Sequence, residues 1–336
     1  MKEPARRGGH PPLDDLQEVL HVVALPLTTR FRGIEVREVA LLDGPTGWGE
    51  FAPFVEYEPA EAARWLAAAV EASWSDWPPP VRDRVPVNAI VPAVAPERAT
   101  ELVRSSGGCR TVKVKVAEPG QSLAEDVARV GAVRAALDGD GPGGRVRVDA
   151  NGGWSVPEAV AALSALAEYE LEYAEQPCRT LAEQAEVRRL VDVPLAADEG
   201  VRKAMDPLHV QGLTEAADLV VLKVAPLGGV LAALRVADAC GLPVVVSSAL
   251  DSSVGLASGV ALAAALGALP YACGLGSGRL LAADVVRQRL LPEEGSLPVV
   301  RPEPDPDLLA RYGVGADRLA WWRSRLAAAY EIMTAP

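Results

Sequence analysis

Histidine is nearly absent: His10, His21 and His209 are the only three in 336 residues. That weighs against histidine-rich zinc sites. Cysteine is almost as rare. Cys109, Cys178, Cys240 and Cys273 show no CxxC spacing, which suits reduced thiols in a cytoplasmic protein better than a disulfide framework. No run of 18 apolar residues is free of charge, so no transmembrane helix is expected. The opening stretch "MKEPARRGGHPPLDD" has no apolar segment of the kind a signal peptide needs. Positive charge is also short. The net charge of −12 speaks against nucleic acid or an anionic membrane as partner. Lysine is the scarcest cation, five against 28 arginines.

Apolar residues are plentiful, 49% of the chain, so a sizeable core is available. Residues 17–51 alternate like antiparallel strands, "EVLHVVALPL" pairing with "GIEVREVALL", and "DGPTG" turning into "WGEFAPF". A helical pattern follows over 59–74, then the proline-rich "DWPPPVRDRVP" at 76–86. Beyond it eight short apolar runs recur, each followed by a segment with helical periodicity, and Ser155 with Glu158 forms a capping box at the head of one. Eight strand–helix units imply a parallel α/β barrel; a doubly wound open sheet normally uses fewer strands. The expected organisation is an α+β capping domain over 1–84, a barrel over 85–290, and a C-terminal segment over 291–336 that packs back on the cap. Monomer and homo-oligomer both remain open.

Catalytic residues of such barrels stand at the C-terminal ends of the strands. There the second run carries Lys113 and Lys115, the third Asp149 and then Asn151, the fourth Glu175, the fifth Asp198 and Glu199, and the sixth Lys223. The seventh ends in Ser247 and Ser248, and the eighth enters "GLGSG", with Gly274 and Gly276. Asp149, Glu175, Asp198 and Lys223 follow one another at 26, 23 and 25 residues, one strand–helix unit each. Three carboxylates converging in a partly dry cavity repel, and a hard divalent cation resolves the conflict: Mg²⁺, with Mn²⁺ as alternative. Lysine can give up its proton where arginine cannot, so three of five lysines at strand ends read as acid–base chemistry. A neighbouring ammonium would lower the pKa of Lys115.

Each feature alone has a plainer explanation. A single K-x-K is most often a solvated strand face, and a single Asp at a strand end is most often a helix cap. In register across five consecutive units, the set resists that explanation. The glycines and the two serines are evenly balanced between substrate contact and packing. A retaining glycosidase would need a second carboxylate where strand seven has serines.

With "KVK", "DAN", "EQP", "DE" and "LK" in this order, the chain resembles the enolase superfamily in its muconate-lactonizing subgroup. The likeness implies a modified (β/α)7β barrel of the (β/α)8 type under an α+β cap. It also implies Mg²⁺-assisted removal of a proton α to a carboxylate, through an enediolate. Asp149, Glu175 and Asp198 would hold the metal, with Lys113, Lys115 and Lys223 around the reacting carbon. The stretches 29–59 and 273–286, and Arg147 two residues before Asp149, resemble the o-succinylbenzoate synthase family. That likeness implies dehydration of a cyclohexadiene carboxylate in menaquinone biosynthesis, on a small-molecule substrate. Arg32, with Thr29 and Arg30, becomes a candidate for the succinyl carboxylate, and Arg147 and Glu199 supporting residues behind the ligands. Two readings compete: an N-acylamino acid racemase or dipeptide epimerase on the same lysine pair, and a non-catalytic binding barrel. The absence of paired aspartates at the eighth strand end disfavours the epimerase, and a full ligand and lysine set disfavours the binding barrel.

Overall fold

The computed structural model describes residues 10–335, so most of the opening stretch lies outside the described residues. Three antiparallel strands, Leu20–Phe31, Ile34–Asp43 and Trp48–Phe51, form the cap sheet in chain order. The first hairpin turns at Arg32 and Gly33, both at positive φ (50° and 78°), the pairing of dihedrals that matches strand twist in a tight hairpin. Helix Pro59–Trp74 starts on a proline whose missing N–H costs nothing there, and it buries Ala62, Trp65, Leu66 and Ala69. Helix Ala316–Met333 closes the cap: Trp322 meets Phe51 edge-on at 5.9 Å and donates its indole N–H to Glu38 at 2.9 Å.

Seven parallel strands follow one another in one sheet: Ala89–Val91, Thr111–Lys115, Arg145–Asp149, Leu171–Glu175, Leu195–Ala197, Leu219–Leu222 and Val244–Val246. The eighth run, "YACGLGS", makes no regular strand. It closes the ring with single bridges, Cys273 to Val87 on one side and Gly274 to Ser247 on the other. Glycine is required at this closure: a Cβ on Gly274 would stand 2.4 Å from the Ser247 hydroxyl, and one on Gly276 would stand 2.3 Å from the Asn88 carbonyl. The proline-rich linker ends in a short strand, Arg84–Pro86, which pairs antiparallel with Ser296–Pro298.

Strand alternation sorts the barrel into two environments. Val112, Val114, Val146, Val148 and Ala174 face outward into the main core beneath the helices. Their sequence neighbours face inward. Arg147 is fully buried low in the barrel, stacked on Tyr173 at 4.6 Å and bonded to Glu172, Asn88 and the Ala272 carbonyl. The upper layer holds the lysines and carboxylates.

The cap docks by seating carboxylates on barrel-helix N-termini, where backbone amides lack partners. Glu71 accepts from the amides of Val230 (2.5 Å) and Leu231 (3.2 Å) at the head of helix Val230–Cys240. Glu50 accepts from Ser252 and Gly255 amides, both at 3.1 Å, and from the Ser252 hydroxyl, at helix Ser253–Ala265. Gly229 and Gly255 make room: a Cβ on either would lie 2.6 Å from the incoming carboxylate.

Candidate active site

Strand register builds the site. Lys115 lies opposite Asp149, and Asp149 opposite Glu175, on three adjacent strands. Asp198 ends the fifth strand and opens the short helix Glu199–Arg202; Lys223 ends the sixth. The three carboxylates are buried, at 1% exposure or less. The Lys113 ammonium meets both Glu175 oxygens (2.9 and 2.8 Å) and lies 3.1 Å from Asp149. Lys115 donates to Asp149 at 2.6 Å and to the Asn151 side-chain oxygen. Lys223 donates to Asp198, whose other oxygen takes Arg202 Nε at 3.1 Å.

Burial alone would raise the pKa of Asp149, but Lys115 and Lys113 override it and hold the carboxyl well below its usual range. Asp198 follows the same course, with Lys223 and Arg202 prevailing over burial. Glu175 goes the other way. Burial and the charge of Asp149 push it up to about 7 against the pull of Lys113. Lys113 is held charged by Glu175 and Asp149 despite burial. One ammonium is thus shared between two carboxylates. The like-charge crowding that "KVK" suggests is neutralised, because Asp149 lies between the two ammonium groups and Glu175 takes Lys113 as well.

The donor set fits a hard divalent cation. Three dry carboxylates sit close enough for Asp149 and Asp198 both to raise the pKa of Glu175, and all six of their donor atoms are hard oxygens. As placed, they are drawn onto lysines, and among the described residues no trio of His, Cys, Asp or Glu is disposed to share one ion.

Around this basin, Arg32, Asn151, Ser247 and Ser248 line one pocket with the three lysines and Asp149. Arg32 sits at the cap hairpin tip and stacks on Phe54 at 4.1 Å; Arg37 stacks on the same ring at 4.2 Å. Ser248 donates to the Gly274 carbonyl (2.9 Å) and bonds Ser277 (2.7 Å), so the two serines also tie strand seven to the closure. Gly274, Gly276, Thr29 and Arg30 are not part of the pocket wall. Arg147 lies a layer below, where it bonds Glu172, Asn88 and the Ala272 carbonyl. Glu199 accepts from Asn151 (3.3 Å) and Arg202 (2.7 Å).

Sequence reasoning misses Arg202, which lines the pocket and bridges Asp198 to Glu199. Its spacing of four from Asp198 on a helix start is the available signal. It misses the apolar wall as well: Phe31, Phe54, Tyr57, Ile90 and Leu250 carry no pattern that separates them from core residues.

The family described as Enolase C-terminal domain-like matches residues 95–316, and Enolase N-terminal domain-like matches 22–73. An o-succinylbenzoate synthase of Thermobifida fusca (strain YX) is 62% identical over 306 residues, covering 91% of this chain and 94% of that protein. One of Mycolicibacterium smegmatis is 56% identical over 326 residues, covering 97% and 99%. In fold, the chain is similar to the muconate lactonizing enzyme of Pseudomonas fluorescens complexed with muconolactone, at a TM-score of 0.74 and 19% identity, covering 88% of this chain and 98% of that one.

Proposed function

The chain belongs to the o-succinylbenzoate synthase family of the enolase superfamily, and we propose that the barrel-mouth basin performs that family's reaction, with Lys115 as its base and Asp149, Glu175 and Asp198 as metal ligands. The reaction is the dehydration of 2-succinyl-6-hydroxy-2,4-cyclohexadiene-1-carboxylate to 2-succinylbenzoate, a lyase step of menaquinone biosynthesis. Enzymes of this superfamily use a divalent metal.

Mg²⁺ suits the three hard oxygen donors of Asp149, Glu175 and Asp198. Bound there, it supplies Lewis-acid stabilisation of charge developing on the substrate carboxylate. Lys113 holds Glu175 and Asp149 in place through its ion pairs with both. Lys115 takes the α-proton. Its ammonium then stands on the same face as the departing hydroxyl and can protonate it. Lys223, on the other side of the basin, remains a fixed cation that favours the anionic intermediate. Asn151 orients Lys115 through their hydrogen bond, and Glu199 orients Asn151.

Above the basin, Phe31 and Phe54 cover the reacting centre and exclude water. Arg32 is the pocket cation whose carboxylate contact is weakest, Glu56 at 3.9 Å across exposed side chains, so it is available to the succinyl carboxylate. Ser247 and Ser248 border the same space, while Gly274 and Gly276 act through the closure they permit.

The observation that carries this reading is the pairing of three lysines with three buried carboxylates at neighbouring strand ends. Its test is direct conversion of the cyclohexadiene substrate. Activity is expected to vanish after chelation and return with Mg²⁺. Full turnover by thoroughly metal-stripped protein would overturn the ligand assignment.

A further inference from the structure

A second cavity, of about 240 Å³, opens at the seam between cap strand Leu20–Phe31, barrel helix Pro96–Arg104 and the closure after Gly276. Its lining includes three arginines, Arg98, Arg279 and Arg289, and no acidic side chain. In a chain of net charge −12 such a concentration needs a reason. The three are not equivalent. Arg98 is bonded to Glu101 at 2.8 Å, and Arg289 Nε stands 3.8 Å from Asp284. Arg279 donates only a long bond, 3.4 Å, to the Pro292 carbonyl, and no carboxylate pairs with it among the described residues. Arg289 is anchored by two bonds to the Gly278 and Leu281 carbonyls (2.7 and 2.8 Å), which leaves its buried Nε without a hydrogen-bond partner.

The rest of the wall is of another kind. Ile90, Leu102, Leu280, Leu291 and Pro292 give it an apolar floor, and Thr28 a hydroxyl at the rim. Guanidinium groups over an apolar floor, at a boundary between two structural layers, match a ligand with one carboxylate and a hydrophobic body. Inorganic anions would gain nothing from the floor, and neutral apolar molecules nothing from Arg279.

We propose that this cleft is a second binding site, separate from the catalytic basin, for a small aryl or alkyl carboxylate held by Arg279. Ile90 lines both cavities, so an occupant presses on the wall of the catalytic pocket and is expected to lower turnover without competing for substrate.

The test uses the full-length, metal-loaded protein and benzoate as probe, followed by titration calorimetry and by inhibition kinetics. Two classes of benzoate site are expected, one competitive with substrate and one not. Arg279→Gln should weaken the second by about tenfold, the loss expected for a charged hydrogen bond. It should leave kcat without benzoate unchanged, and Arg279→Lys should retain most of the binding. A parallel titration with inorganic phosphate should show no site that depends on Arg279. The proposal is overturned if benzoate occupies the same sites with the same affinity in Arg279→Gln. It is equally overturned if phosphate, not benzoate, is the ligand that this substitution releases.

Discussion

The carboxylates of the barrel-mouth basin are buried and those along the cap seam are buried (Glu50) or half-buried (Glu71), yet they are held by different partners. In the basin, Asp149 and Asp198 face lysine and arginine side chains and stay ionised. Along the seam, Glu50 and Glu71 face backbone amides and hydroxyls. Amides solvate a carboxylate but bring no full positive charge, so burial prevails and both groups shift upward, Glu50 to about 8. Asp251 and Asp284, close by, shift the same way under burial, and Arg37 opposes the shift at both Glu50 and Asp251 without reversing it. Glu175 marks the limit of the contrast: it faces Lys113, yet burial and the charge of Asp149 push it up to about 7. The seam uses acidic groups as structural plugs.

That contrast is sharpest at Lys115. Lys115→Arg keeps the charge opposite Asp149 and removes the group that can give up its proton and act as a base. Turnover should fall by roughly 10²–10⁴, the usual worth of general acid–base catalysis, while the thermal midpoint barely moves. Near-normal dehydration would place the base elsewhere, with Lys223 first in line.

Lys113→Met breaks the basin in another way. It leaves Glu175 and Asp149 buried with one fewer cation, a loss of about 3–5 kcal/mol when a buried pair loses one partner. Denaturant unfolding of metal-free protein measures it. Added Mg²⁺ should recover much of the stability, since it supplies the missing charge; no recovery would count against these carboxylates as ligands.

Glu50→Gln examines the seam. All three donors to Glu50 meet a single oxygen, so a glutamine amide oxygen can replace it and the NH₂ can take the place of the proton. The native carboxyl binds its proton up to about pH 8, against 4.5 in the unfolded chain. Between those values the folded state therefore holds more protons than the unfolded state, and stability falls as pH rises, by at most about 1.4 kcal/mol per pH unit. Below that window the full stability is present. Glu50→Gln should flatten the slope across it. A wild-type stability that rises from pH 5 to pH 8 would contradict the assignment.

The smallest effect belongs to Glu71→Ala. Loss of a carboxylate from a helix N-terminus should cost about 1 kcal/mol and leave KM for the substrate unchanged. A raised KM would mean that cap docking at this point also shapes the pocket.

Period and spacing make much of this molecule legible in one dimension. The alternation over 17–51 marks the cap strands because a half-buried strand must alternate. The unit length of 23 to 26 residues places Asp149, Glu175, Asp198 and Lys223 at equivalent strand ends, since one strand and one helix consume that much chain. The eighth run is the exception. Its composition suits a strand, but it forms only single bridges, with Gly274 and Gly276 where the chain passes Ser247 and Asn88. The aromatic wall leaves no comparable mark, because its residues come from stretches distant in sequence, and Arg202 leaves only its spacing of four from Asp198.

Which residue types stand at which strand ends was thus determined by sequence alone, because the repeat is local and periodic. Which cation faces which carboxylate was decided only in three dimensions. Lys113 takes Glu175, 62 residues away, while Lys115 takes Asp149, and Glu71 seats on a helix 159 residues on. Charge pairing depends on distance and dielectric, neither of which is written along the chain.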